Sequence, residues 1–209
     1  MYTLFGFKRS GSAAVEAALE MAALPYRTVD AASWEPDSAL AELERVNPLK
    51  QIPTLLLPDG SVMTESAAIL IHLGLSFPSA NLLPADPAQR AQAIRGLVFI
   101  AANCYAAISV IDFPERWCAD PDEATNERIR RGTTARLHRN WEIFADQFAA
   151  RPFFGGAAPD GLDILATVVS RWSGARNHLR NTRPQFVETT ERVERHPRIA
   201  KVFARHWPA

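Results

Sequence analysis

The chain has 209 residues, 47% of them hydrophobic and 22% charged, with 23 basic and 23 acidic side chains that cancel to a formal net charge of zero. That is the composition of a globular chain with room for one large domain or two small ones. It offers no general electrostatic reason to bind nucleic acid or an anionic membrane. The basic run Arg128–Arg131 lies among helix formers and acids and reads as a solvated helix face. Two cysteines, Cys104 and Cys118, make no disulfide framework, and neither has metal-ligand spacing with any histidine, so no metal is expected. The N-terminus "MYTLFGFKRSGS" has no basic leader ahead of a long apolar segment. No stretch is expected to reach the roughly 20 apolar residues that span a bilayer. A reducing, cytoplasmic location follows as the expectation.

Taken in chain order, "YTLFGF" (Tyr2–Phe7) predicts a short buried strand, and the Ala-, Glu- and Leu-rich Ser12–Leu24 a helix that ends at Leu24-Pro25. "YRTVDA" (Tyr26–Ala31) reads as a second strand. Asp37–Val46 reads as a second helix, stopped by Asn47-Pro48. Thr54–Leu57 and Ser61–Thr64 flank the turn Pro58-Asp59-Gly60 and predict an antiparallel hairpin. Glu65–Phe77 closes this part as a helix. The order βαβαββα implies a parallel pair with a right-handed crossover, extended by antiparallel strands and covered by helices.

From Pro78 the pattern changes. The proline-rich "PSANLLPADPAQ" reads as a linker, which divides the chain into residues 1–78, a linker at 79–88 and an all-helical 89–209. Pro87–Ile111 predicts a long helix with Ile94, Leu97, Val98, Ala101, Tyr105 and Ile108 on its inner face. Asn126–Ala149 predicts another, with Ile129, Leu137, Trp141, Phe144 and Phe148 inward. Gly161–Trp172, Pro184–Glu194 and Pro197–Trp207 are further helical segments. The five histidines form no recognisable site, and no Gly-rich phosphate loop is present.

The stretch "NPLKQIPTLLLPDG" (Asn47–Gly60) sets a proline at the doorstep of a strand. Proline lacks the N–H that a ladder needs. A cis Ile52-Pro53 bond would leave the main-chain N–H and C=O of Ile52 facing outward, free to pair with the peptide groups of a ligand. Twelve residues beyond Ile52 begins "TESAAIL" (Thr64–Leu70), in which Glu65-Ser66 precedes an apolar helical run. The free N–H groups of a helix start and a serine hydroxyl suit a carboxylate, and Glu65 can accept from an ammonium. Plain capping by Ser66 is the competing reading.

Together these two motifs resemble the glutathione-binding half of the cytosolic glutathione S-transferases, and the order and length of both halves match over essentially the whole chain. The resemblance implies a thioredoxin-like βαβαββα domain followed by an all-α helical-bundle domain. It implies that Ile52, before the cis-proline Pro53, pairs with the cysteinyl backbone of glutathione. Glu65 and Ser66 would take the γ-glutamyl end, and Lys50 and Gln51 would reach toward the glycine carboxylate. "FFGGAAPDGLDILA" (Phe153–Ala166) resembles a family segment in which a capping residue, here Asp160, precedes Asp163 by three positions; both read as folding determinants.

Glutathione transfer requires a thiolate. The place to stabilise one is "FKRSGSAAVEAAL" (Phe7–Leu19), where Ser10 and Ser12 flank Gly11. The family keeps Tyr, Ser or Cys in this turn. Ser10 is the best match to its serine-type members and Ser12 the second. A different serine-type alignment lands on Arg9, and the cysteine of cysteine-type members falls on Gly11. Ser12 is also expected to cap the helix. Arg9, Tyr105, Asn103 and Trp117 are the candidates around a small hydrophobic electrophile. The resemblance further implies a homodimer that conjugates glutathione to that electrophile. The alternatives are glutathione-dependent isomerisation of the maleylacetoacetate type, and a glutathione-binding scaffold without catalysis.

Overall fold

The computed structural model describes residues 1–208. Strand β1 (Tyr2–Gly6) runs into helix α1 (Ser12–Met21), β2 (Tyr26–Asp30), α2 (Leu40–Val46), the hairpin β3 (Thr54–Leu56) and β4 (Val62–Met63), and α3 (Ser66–Ser76). The sheet order is β2-β1-β3-β4. β1 and β2 are parallel, Tyr2 opposite Tyr26, while β1–β3 and β3–β4 are antiparallel, Leu4 opposite Leu55 and Leu55 opposite Met63. β1 is buried at every residue because helices cover both faces, so it carries no polar alternation. Its period of two is still visible in the packing. Leu4 joins the large core with α1 and α3, whereas Phe5 turns to the other face against Ala31 and Leu43.

The helical part begins after a short 3₁₀ turn, Pro78–Ala80. It comprises α4 (Pro87–Phe99), a π-helical segment Ile100–Tyr105, α5 (Ala106–Asp112), a second 3₁₀ turn Pro114–Trp117, α6 (Glu123–Gln147), α7 (Gly161–Val169), α8 (Ala175–Thr182), α9 (Pro184–Glu194) and α10 (Ala200–His206). The architecture is a thioredoxin-like domain followed by a helical one. α7 is buried at all of its residues and packs on α1, α3 and α4, so one apolar core runs through both parts. Its buried start is closed by a capping box. Asp160 accepts from the Leu162 N–H (2.8 Å), and Asp163 accepts from the N–H groups of Asp160, Phe154 and Gly155.

Several boundaries differ from the expectations. α1 ends at Met21 because Ala23 adopts a left-handed φ of 52°, and α2 starts at Leu40. α8 was not anticipated, since "ARNHLRNT" has almost no apolar face and follows Gly174. Val98 is 53% exposed although its neighbour Leu97 is buried; adjacent helical residues point about 100° apart, and only one of them reaches the core. The helical run Pro87–Asp112 is long and apolar enough to cross a membrane by length and composition, contrary to the sequence expectation; in the fold it packs against α6 and α7.

The last helix returns to the first. Glu16 of α1, almost fully buried, accepts hydrogen bonds from His206 (2.7 Å) and Arg205 (2.6 Å), and neighbouring Glu20 takes Lys201 (2.5 Å) and the Tyr26 hydroxyl (2.8 Å). Burial alone would push the Glu16 carboxyl upward, but the His206 hydrogen bond and the Arg205 charge outweigh it and hold the group below its ordinary value of 4.5. A carboxylate depressed in the folded state stabilises above its unfolded pKa, and that contribution is lost as the pH falls through the folded value. Glu16→Gln should therefore cost about 3 kcal/mol at pH 7, the penalty for breaking a buried pair, read as a drop in urea midpoint. Between neutrality and pH 3 the native chain should lose stability more steeply than the variant; equal slopes would mean that Glu16 carries no linked charge.

Candidate functional site

β1 ends at Gly6 where α1 passes so closely that a Cβ there would lie 2.4 Å from that of Ser12. The turn between them is knit by its own serines. The Ser10 hydroxyl donates to the Phe7 carbonyl (2.7 Å) and accepts from the Ser12 N–H (3.2 Å). The two Oγ atoms lie 2.8 Å apart, and the Ser12 hydroxyl also donates to the Phe7 carbonyl (3.2 Å) and accepts from the Phe7 N–H (3.2 Å). Both residues are buried. The expected Ser12 cap is not formed: Gly11 precedes the helix with no side-chain cap, Ser12 is its first residue, and Ser10 takes the Ser12 N–H. Arg9 at the tip has φ 59° and is exposed, as is Lys8.

Because β3 pairs with β1, Phe5 opposite Thr54, the loop Asn47–Pro53 stands beside this turn. Buried Asn47 holds the loop. Its Nδ2 donates to the Gln51 carbonyl (3.1 Å) and to Thr54 Oγ1 (2.9 Å), and its Oδ1 accepts from the Leu49 N–H (3.1 Å). Thr54 Oγ1 donates to the same Gln51 carbonyl (2.8 Å). The Ile52–Pro53 bond is cis, as is Arg151–Pro152. Among the described residues, neither the N–H nor the C=O of Ile52 is taken by another protein group. Lys50, with φ 54°, is paired to Glu44 at 2.7 Å, and Gln51 is exposed.

The start of α3 lies on the same side. Glu65 holds the cap position with φ 64° and ψ 108°, a strained conformation for a residue with a side chain, and makes no side-chain cap. Ser66 opens the helix. Its hydroxyl is buried and has no hydrogen-bond partner, so the capping reading of this serine does not describe the structure.

Tyr105 ends the π-helical segment, its ring stacked on Trp172 at 5.7 Å and 20°. Its hydroxyl stands against Gly11, close enough that a Cβ on that glycine would come within 1.9 Å of the oxygen. Burial pushes the phenol up to about 12; the nearby Glu65 charge adds to this, and the Gly11 amide opposes it. The structure thus sets Tyr105 against the Ser10–Gly11–Ser12 turn within reach of the Glu65 charge, and β3, which follows Ile52-Pro53, beside β1. Asn103 does not join them: its Nδ2 donates to the Phe99 carbonyl one turn back. Trp117, 60% exposed, sits on a 3₁₀ turn beyond the end of α5.

The family description "Glutathione S-transferase, N-terminal domain" matches residues 12–75. Over 99% of the chain and 98% of the other protein, the sequence is 27% identical to the uncharacterized GST-like protein YncG of Escherichia coli (strain K12). It is 38% identical to a probable maleylacetoacetate isomerase of Caenorhabditis elegans over 49% of this chain and 46% of that one. The fold superposes with a TM-score of 0.84 and 22% identity on a glutathione transferase homolog from Sulfitobacter with bound glutathione, covering 97% of this chain and 96% of that one. The chain is thus similar to glutathione S-transferases over its whole length, and residues 12–75 match their N-terminal domain.

Asn47, Gly11 and Trp172 were not singled out from sequence as site-forming. The Asn47-Pro48 pair carries a local signal, since asparagine before a turn bonds to the backbone two residues on, as it does here to Leu49. Gly11 and Trp172 act through contacts with distant residues that no local pattern encodes. Asn47→Ala takes one donor from the Gln51 carbonyl and the donor to the buried Thr54 hydroxyl, and should cost about 1–3 kcal/mol. Limited proteolysis should then cut within residues 48–53 before any other loop; an unchanged cleavage pattern would remove Asn47 as the loop's anchor.

Proposed function

We propose that this chain is a glutathione transferase that conjugates the thiolate of glutathione to a small hydrophobic electrophile, as a homodimer in a reducing, cytoplasmic setting. The observation that carries the reading is the Ser66 hydroxyl, buried and unpartnered at the N-terminal end of α3. A buried hydroxyl without a partner is costly unless a ligand supplies one. Here it stands among the free N–H groups of a helix start, where a carboxylate is favoured. Glu65, held beside it, accepts from an ammonium. A γ-glutamyl group carries both charges on one carbon, and so suits this pair.

The remaining tripeptide follows the chain's geometry. The unpaired N–H and C=O of Ile52 suit the cysteinyl main chain, as in strand addition, and Pro53 closes that edge. Gln51, exposed in the loop, suits the glycine carboxylate, and Lys50 would do so on leaving Glu44. Residues 1–78 thus carry glutathione, and residues 89–209, after the 79–88 linker, wall the electrophile with Tyr105 and Trp172, Arg9 standing at the rim. Bound this way, the protein contributes chiefly by orienting the sulfur and stabilising its charge. Ser10 and Ser12 shape the turn in this reading, because their hydroxyls are committed inward.

Calorimetry with glutathione, followed by conjugation of an activated aryl chloride, tests the proposal. Ser66→Ala and Glu65→Ala should each weaken glutathione about tenfold or more, since a hydrogen bond to a charged group contributes about 1.5–3 kcal/mol. Unchanged affinity in both variants would return these residues to helix initiation. Binding without conjugation of any electrophile in a broad panel would instead favour a scaffold, and turnover of maleylacetoacetate alone an isomerase.

The dimer is supported by exposed apolar side chains on two helices that pack together, Leu75 of α3 (56% exposed) and Val98 of α4 (53%). Val98→Glu should give a monomer by sedimentation equilibrium, with its circular dichroism unchanged. A variant that retains the native mass would move the interface elsewhere.

A further inference from the structure

We propose that the Tyr105 hydroxyl is the catalytic hydrogen-bond donor to the sulfur of bound glutathione, in place of any hydroxyl from the turn between β1 and α1. This rests on the glutathione reading above and names the residue that meets the reacting atom.

The first argument is elimination by geometry. A hydroxyl stabilises a thiolate only by turning its proton outward to it. Both hydroxyls have inward acceptors, the Phe7 carbonyl that each of them reaches and the other serine's oxygen, and both side chains are buried in the turn they hold together. Freeing either would break the bonds that shape the start of α1.

The second argument is what stands over that turn. Gly11 has an ordinary helical φ of −62°, so its backbone conformation does not call for glycine. Its lack of a side chain is a matter of room: a Cβ there would lie 1.9 Å from the Tyr105 oxygen and 2.9 Å from Cζ. The phenol therefore occupies the volume into which residue 11 would project its own side chain, at the N-terminal end of α1. A helix from the second half of the chain supplies the polar group that this turn position lacks.

The third is how the hydroxyl is held. Tyr105 closes the π-helical segment Ile100–Tyr105, and the wider π turn shifts side-chain register relative to a regular helix. Stacking on Trp172 fixes the ring. Among the described residues no protein group accepts the Tyr105 proton, and the side chain is only partly buried, so the hydroxyl is free to donate to a ligand while the Gly11 amide meets its oxygen. Glu65, at the cap of α3, is the charged group that acts on the phenol. The phenol keeps its proton far above the ordinary thiol pKa of about 8.5, and so remains a donor wherever the thiol ionises.

The chemistry balances without a further reagent. The thiol proton passes to water, while Tyr105 retains its own and donates a hydrogen bond to the resulting thiolate. A sulfur lone pair then forms the C–S bond as the leaving group departs with its bonding electrons. Stabilising the anion lowers the thiol pKa of bound glutathione.

Tyr105→Phe removes one oxygen and keeps the stacking ring. With glutathione saturating, the thiolate ultraviolet absorbance is titrated against pH for the native chain, Tyr105→Phe, Ser10→Ala and Ser12→Ala, alongside calorimetric affinities. We expect Tyr105→Phe to raise the apparent thiol pKa by about one unit or more, a tenfold loss of thiolate near neutrality, with glutathione affinity at pH 5.5, where the thiol is protonated, changed less than about threefold. Conjugation by this variant should fall about tenfold near neutrality and recover toward the native rate as the pH rises and the thiol ionises unaided. Neither serine variant should move the titration. Gly11→Ala, which drives a methyl group into the phenol, should raise the thiol pKa as Tyr105→Phe does, and adding it to Tyr105→Phe should raise it no further. An unmoved titration in Tyr105→Phe, or a shift in Ser10→Ala of equal size, overturns the assignment while leaving the glutathione site in place. Absence of glutathione binding by the native chain would instead remove the functional reading itself.

Discussion

The Glu16 carboxylate is the point on which the rest of the molecule is registered. It sits on the buried helix α1, and His206 and Arg205 of the last helix reach it across nearly the whole length of the chain. A buried carboxylate left without partners is costly enough to unfold a marginal domain. Its satisfaction therefore fixes α1 between the sheet and the helical domain at once. The close approach of Gly6 to Ser12 at one end of α1, and of Gly11 to Tyr105 beside it, follows from that seating.

From this placement the site assembles out of pieces that are each locally stable. The turn serines bond to one another, Asn47 and Thr54 close the loop before β3, and α3 begins at a residue with a positive φ. What these arrangements leave open is informative. The Ile52 main chain and the Ser66 hydroxyl are polar groups without protein partners in a structure that otherwise pairs its buried polar atoms closely around them. Unpaired main-chain groups before a strand and an unpaired hydroxyl at a helix start are what a peptide ligand would satisfy. The family's fold supplies the frame; the groups left unpaired in this chain supply the argument for its use.

The division of labour between the two halves is physical. A small mixed sheet can present main-chain groups and a helix start, both suited to a ligand of constant chemistry. A hydroxyl aimed at a sulfur must be set to within a few tenths of an ångström. In the proposed reading that group is Tyr105, at the end of a π segment and with its ring stacked on Trp172. Conversely, the two turn serines, the most conspicuous polar residues in the sequence near the presumed sulfur, are absorbed by the backbone.

Local chemistry was enough to read the order βαβαββα, the parallel and antiparallel pairings, the proline at the start of β3 and the Glu65-Ser66 helix start, while the capping pair Asp160 and Asp163 was read through the family resemblance. Each depends on neighbours a few residues apart, where propensity and hydrogen-bond reach act directly. The sequence could not disclose which polar groups would end unpaired, that Val98 would face outward, that the polar segment Ala175–Thr182 would be helical, or that Tyr105 would fill the space above Gly11. Those outcomes are set by contacts between residues tens to nearly two hundred positions apart. Only the packed tertiary structure brings such groups within bonding distance, and the direction of a hydroxyl is decided there.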